Sequence, residues 1–340
     1  MKLLKQLSFA SFICMSASSF AATGPCNVKE PHNAIFISGE LLLWKPNQTG
    51  MTYCLSVSEF TSPLGKKNKE IHQASQWATG FRVGTGAVFI GAPCDISFYW
   101  TRFHNTSHGS SSKPFIIGSQ LLGIGNAFPV GGSGVGGGKP HSTWDLDFDT
   151  AELDFGYRLC FNERYLLRPY FGVTAGWINQ LQSIKYPNFL GTNNVVFSAK
   201  IKQTNDFNGV GPKLGLQGNM AMGAGFGIMG NFAASFFYGT AHNPVKYDIN
   251  GDLADFPVPQ SKVTYRQHRI IPALQAQVGL TWGIVCTKHF TIDLAALYEA
   301  QYFFGTWRNQ NSAIQNFYIA DAGYGNLMLQ GGTWQLKLTF

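Results

Sequence analysis

The 340-residue chain carries a formal net charge of +7, yet only 13% of its residues are charged, against 14% aromatics, 39 glycines and a mean hydropathy of -0.03. Charge this sparse is well below the roughly 25% of ordinary soluble domains, and the absence of a basic run argues against nucleic acid as a partner. Hydropathy near zero combined with abundant aromatics is what strands with one apolar and one polar face produce.

At the N-terminus, Lys2 and Lys5 precede an apolar run from Leu7 to Met15 and small residues ending at Ala21. This is the pattern of a secretory signal cleaved after Ala21, and its loss lowers the formal charge from +7 to +5. No later run of 18 apolar residues supports a membrane helix. The expected organisation is a signal peptide over 1–21, a periplasmic segment over 22–33 and a β-barrel over 34–340.

Amphipathic strands follow in order. Ala34 to Lys45 is the first, and Met51 to Phe60 is β-prone but is assigned to the first external loop. In Ser75 to Ile90, Trp77, Phe81 and Val83 oppose Gly80, Arg82, Gly84 and Gly86. In Cys94 to Phe103, Ile96, Phe98 and Trp100 alternate with Asp95, Ser97 and Tyr99. A Gly- and Ser-rich loop, His104 to Ser142, precedes Thr143 to Arg158, where parity slips near Thr150. A β-bulge at Thr150 would keep Trp144, Leu146 and Phe148 on the lipid face and Asp145, Asp147 and Asp149 in the lumen. Strands over Arg164 to Leu181, Val195 to Gln217 and Phe226 to Tyr238 come next, then a loop from Gly239 to Ser261. Lys262 to Ile284 and Phe290 to Phe304 precede the closing strand, whose Trp334, Leu336, Leu338 and Phe340 share one face opposite Thr333, Gln335 and Lys337.

Short and long connections alternate, as in outer-membrane barrels with periplasmic turns and external loops. If both ends of the barrel lie in the periplasm the strand number is even: ten, with twelve as the alternative. In this threading Trp77, Trp100, Trp144 and Trp177 lie at outer strand ends and form an interfacial girdle, with Trp44 at the same level but of ambiguous facing. The expected fold is therefore an all-β transmembrane antiparallel barrel in the bacterial outer membrane, its exterior partner the membrane lipid.

Several segments together resemble a known family. WDLDFDTAELDFGYRL (Trp144 to Leu159), RYLLRPYFGVTAGWI (Arg164 to Ile178), NDFNGVGPKLGLQGNM through ASFFYG (Asn205 to Gly239), HRIIPALQAQVGLTW (His268 to Trp282) and QGGTWQLKLTF at the end are similar to the Legionella-type pore-forming major outer-membrane proteins, which have relatives in chlamydia-like bacteria. The short Gly-rich loop text and extra cysteines depart from that pattern. The resemblance implies porin activity, the passive diffusion of small hydrophilic solutes or ions. The competing reading is a structural or adhesive surface barrel with a closed lumen.

On this threading the lumen carries Arg82, Arg158, Arg164, Arg168, Lys213 and Lys337 with Asp95, Asp145, Asp147, Asp149, Glu152, Asp154, Asp293 and Glu299. Such groups line a channel and set its selectivity, or else pair with one another and fill a narrow barrel. Cys26, Cys94, Cys160 and Cys286 all fall on the periplasmic side, an oxidising compartment, with Cys54 external. They are candidates for disulfides within the barrel or to other envelope proteins, as the chlamydial resemblance suggests, or they are idle thiols. Phe340, with Leu338, Leu336 and Trp334, resembles the terminal signal read by the barrel-assembly machinery. The Gly132 to Gly137 GxGxxG lacks a flanking strand and helix and is no nucleotide site. Asp145, His104, His108 and His141 lie at external positions with no fixed geometry, so neither an enzyme, a metal site nor a cofactor is expected.

Overall fold

The computed structural model describes residues 34–57, 68–89, 93–110, 115–117, 134–136, 139–162, 164–190, 196–251, 261–287, 290–308 and 324–340. The expected signal peptide, the segment 22–33 and Cys26 lie outside the described residues. In chain order the strands are β1 (Ala34–Gln48), β2 (Thr52–Val57), β3 (Asn68–His72), β4 (Ala78–Val88), β5 (Cys94–Ser110), β6 (Phe115–Ile117), β7 (Gly134–Gly136), β8 (His141–Tyr157), β9 (Leu159–Phe161), β10 (Tyr165–Leu190), β11 (Val196–Gly223), β12 (Phe226–Gly251), β13 (Ser261–Thr287), β14 (Phe290–Arg308) and β15 (Tyr324–Thr339).

Ten of them, β1, β4, β5, β8 and β10 to β15, pair antiparallel in that order, and β15 closes on β1. Closure removes every sheet edge from the wall, the condition for crossing lipid with strands. No described helix is long and apolar enough to cross a membrane. β2, expected within the first external loop, lies off the wall: with β3, β6 and β7 it builds a small sheet that attaches to the outer end of β10.

Each of the ten wall strands presents at least one large apolar side chain outward, among them Leu41, Phe81, Phe98, Phe155, Phe171, Leu214, Phe232, Val278, Leu294 and Leu336. The strands run further than a membrane requires. β10 to β13 hold 26, 28, 26 and 27 residues, whereas roughly 9–11 tilted residues cross the hydrocarbon. The surplus rises outside: Gly239 to Gly251, expected as loop, is strand, and β5 continues to Ser110.

That extra height corrects the reading of β8. No bulge occurs at Thr150; pairing with β5 and β10 is continuous from His141 onward. Asp145, Asp147 and Asp149 therefore face outward, while Trp144, Leu146 and Phe148 are buried inside the barrel. The slip in the sequence records a change of surroundings rather than of backbone. Below Thr150 the outside is lipid and the inside polar; above it the outside is aqueous and the inside apolar. The same inversion places Trp44 inside and removes both Trp44 and Trp144 from the girdle, leaving Trp77, Trp100 and Trp177 on the outer surface.

A register irregularity that shapes the interior lies in β14, where the pairing to β15 shifts between Phe303 and Trp307. Gly305 takes φ 68° there, a left-handed conformation that glycine adopts without steric cost. The bend turns Trp307 into the interior, fully buried, and brings Thr306 Oγ1 to donate to Gln48 Oε1 of β1 at 3.1 Å.

Candidate functional site

The interior at membrane height is a hydrogen-bonded charge layer. Arg82 of β4 is its centre: Nη1 donates to Glu40 Oε2 of β1 and Nη2 to Glu299 Oε1 of β14, both at 2.7 Å, and Nε donates to Thr101 Oγ1 of β5 at 2.9 Å. Three polar donors complete Glu299: Gln301 at 2.7 Å, Gln275 of β13 at 2.9 Å and Thr333 of β15 at 3.1 Å. Gln335 serves Glu40 at 2.8 Å. One buried cation between two buried carboxylates is tolerable only because nearly every lone pair is matched in this way.

Across the lumen, Lys213 of β11 donates to Glu152 Oε2 at 2.6 Å and Asp154 Oδ2 at 3.3 Å, both on β8. Arg168 of β10 grips Asp95 of β5 through Nε at 2.8 Å and through Nη2. The ring of Tyr170 lies between these pairs, 5.1 Å from the Arg168 guanidinium and 5.4 Å from Lys213 Nζ. It lies flat there because the neighbouring strand offers Gly215; a Cβ at that position would stand 2.2 Å from the ring. Tyr170 Oη donates to Asn231 Oδ1 of β12 at 2.9 Å, and Asn231 in turn to Gln277 of β13 at 3.1 Å. The layer thus draws side chains from all ten wall strands.

Above it sits an apolar layer: Leu42, Trp44, Phe103, Trp144, Leu146, Phe148, Ile178, Phe207, Phe237, Ile271, Phe303, Trp307, Leu327 and Leu329, all buried. Phe148 meets Phe303 edge-on at 5.3 Å, and Phe237 meets Phe303 at 6.0 Å, so rings from opposite sides touch across the axis. Between the layers lies a cavity of about 20 Å³, bordered by Glu152, Lys213, Gln301 and Phe303. That is room for a single water.

Of the residues expected in the lumen, Arg82, Asp95, Glu152, Asp154, Arg168, Lys213 and Glu299 join this charge layer. Asp293 and Lys337 face inward nearer the periplasmic end, with Lys337 Nζ 4.3 Å from the Phe36 ring centre. Arg158 sits at the β8 terminus, its amide donating to the Pro93 carbonyl at 2.6 Å, and Arg164 is exposed in the following turn. Asp145, Asp147 and Asp149 are corrected to the outer wall, where Asp147 accepts from His104 Nδ1 at 2.6 Å. Glu40 was missed, though the alternation of Leu41 and Leu43 outward already implied its inward facing. Cys94, half-buried, and Cys160, exposed, both carry free thiols in this structure. Among the described residues no cluster of three or more His, Cys, Asp or Glu is arranged to hold a metal.

A family model described as Legionella pneumophila major outer membrane protein precursor matches residues 25–340. The chain belongs to that family. It is accordingly a bacterial outer-membrane β-barrel protein, in keeping with the closed ten-stranded wall. No curated protein matches it. Among solved structures it is similar to the outer membrane protease OmpT from Escherichia coli, at 13% identity and a TM-score of 0.38, covering 91% of this chain and 96% of that one. It is also similar to a major outer membrane protein from Thermus thermophilus, at 10% identity and a TM-score of 0.35, covering 91% of this chain and 100% of that one.

Proposed function

We propose that this family member is a surface barrel with a closed lumen, whose tall external wall and loops carry its role in the envelope. The observation that supports this is the filled cross-section: a charge layer fed by all ten strands, capped by rings that meet across the axis. Small barrels have interiors just wide enough for side chains to fill. Purified, heat-modifiable protein reconstituted in planar bilayers is expected to give no stepwise conductance at neutral pH. Discrete steps from the wild-type protein would refute it and favour the second reading, a passive porin for small hydrophilic solutes or ions. What favours that second reading is the ring of inward ionisable groups of both signs.

Assembly is proposed to depend on Phe340. The Phe340 carbonyl accepts from Ile35 N at 3.1 Å and its amide donates to the Ile35 carbonyl at 2.9 Å, the last rung of the β1–β15 seam. Its ring faces lipid 5.2 Å from Phe290. Deleting Phe340 is expected to lower the amount of folded barrel in outer-membrane fractions several-fold while the folded remainder behaves as wild type. Normal levels in quantitative blots would remove the assignment.

A further inference from the structure

Charge on the outer wall is segregated. Asp145, Asp147 and Asp149 line β8. Beginning on the neighbouring strand, β10 to β13 carry Lys185, Lys200, Lys202, Lys246, Lys262 and Arg266, each in step with the lipid-facing side chains lower on its own strand. Register sets like charges directly opposite: Lys185 against Lys200, Lys202 against Lys246, and Lys246 against Lys262. Facing like charges on adjacent strands are destabilising. Asp248, opposite Lys200, and Asp206, in the row of His242 and Arg266, answer only part of this charge. None of the six cations makes an ion pair among the described residues.

The height of the patch points to its partner. Lys185, Lys202, Lys246 and Lys262 each lie eight residues beyond a lipid-facing side chain on the same strand, namely Trp177, Val210, Tyr238 and Ile270. With about 3.3 Å per residue and a tilt of about 40°, this places the lysine row roughly 20 Å above the aromatic level, with Arg266 about halfway. That zone is occupied by the headgroup and inner sugars of an outer-leaflet glycolipid. We propose that the β10–β13 wall is a docking surface for an anionic outer-leaflet glycolipid, whose phosphates or acidic sugars neutralise the facing lysines. The surface lies wholly outside the barrel and does not depend on whether the lumen conducts.

The test is glycolipid binding to the folded full-length barrel in detergent, followed by native mass spectrometry. The triple variant Lys202→Ser, Lys246→Ser, Lys262→Ser is expected to lose tenfold or more in affinity, about a factor of five per basic residue at an anionic surface being the upper scale. It should keep its heat-modifiable gel shift, because the change relieves repulsion. The matched variant Asp145→Ser, Asp147→Ser, Asp149→Ser, which removes only acidic groups from the adjoining strand β8, should bind no more weakly than wild type. Loss of wild-type binding on dephosphorylating the lipid assigns phosphate as the ligand group, and loss on removing acidic sugars assigns carboxylate. Undiminished binding by the folded lysine variant, or equal wild-type affinity for a lipid stripped of both, would overturn the proposal.

Discussion

Replacing Arg82 with methionine is expected to destabilise the barrel by about 3–5 kcal/mol, the cost of removing one partner from a buried ionic network. The side chains of Arg82, Glu40 and Glu299 are 6%, 5% and 0% exposed, so two carboxylates would be left facing each other with no cation and little water. The glutamines and Thr333 on Glu299 cannot replace the lost charge, and Thr101 would lose its guanidinium partner. Equilibrium unfolding in denaturant, in micelles or bilayers, reads the change directly. Adding Glu40→Gln and Glu299→Gln to the methionine variant is expected to recover most of the loss, since neutralising a whole buried network is far cheaper than breaking it. A single Arg82→Met change costing under about 1 kcal/mol would show that water reaches this layer. The reading of a closed lumen would then lose its main support.

Much of this wall was legible in the sequence because lipid imposes a simple rule on it. β15 alternates as expected, with Trp334 and Leu336 outward and Lys337 inward, and the strand count of ten followed from the alternation of turn lengths. The rule holds only where lipid is present. Past Thr150 the same pleat continues into water, where the apolar residues must turn inward, so a reading that assumed one apolar face along β8 had to invent a bulge. A signal was available: three aspartates alternating with three large apolar residues is an unsuitable lipid-facing pattern only if the strand is taken to end at the membrane. The mates within the charge layer were not legible. Arg82 meets Glu299 across 217 positions of sequence, and only closure of the barrel brings β4 and β14 together around β1 and β15.

The apolar layer makes the opposite demand, and Phe148→Ala tests it. Phe148 is fully buried at the barrel axis with its ring edge-on to Phe303, so truncation leaves a hole lined by rings from β8, β12 and β14 that the hydrogen-bonded wall cannot collapse to fill. The expected loss is about 3–5 kcal/mol, the range for large aromatics removed from packed cores. Phe171, on β10 and 61% exposed toward lipid, is the control. Lipid tails readily occupy the space its ring leaves, so Phe171→Ala should cost much less when both are measured by denaturant unfolding in the same bilayer. Equal losses would mean that the upper interior is hydrated rather than packed. Phe148→Ala alone should remain non-conducting in planar bilayers, because the Arg82 and Lys213 clusters beneath still span the cross-section. Conductance appearing on this single change would place the whole barrier at the ring layer and reduce the charge layer to a lining.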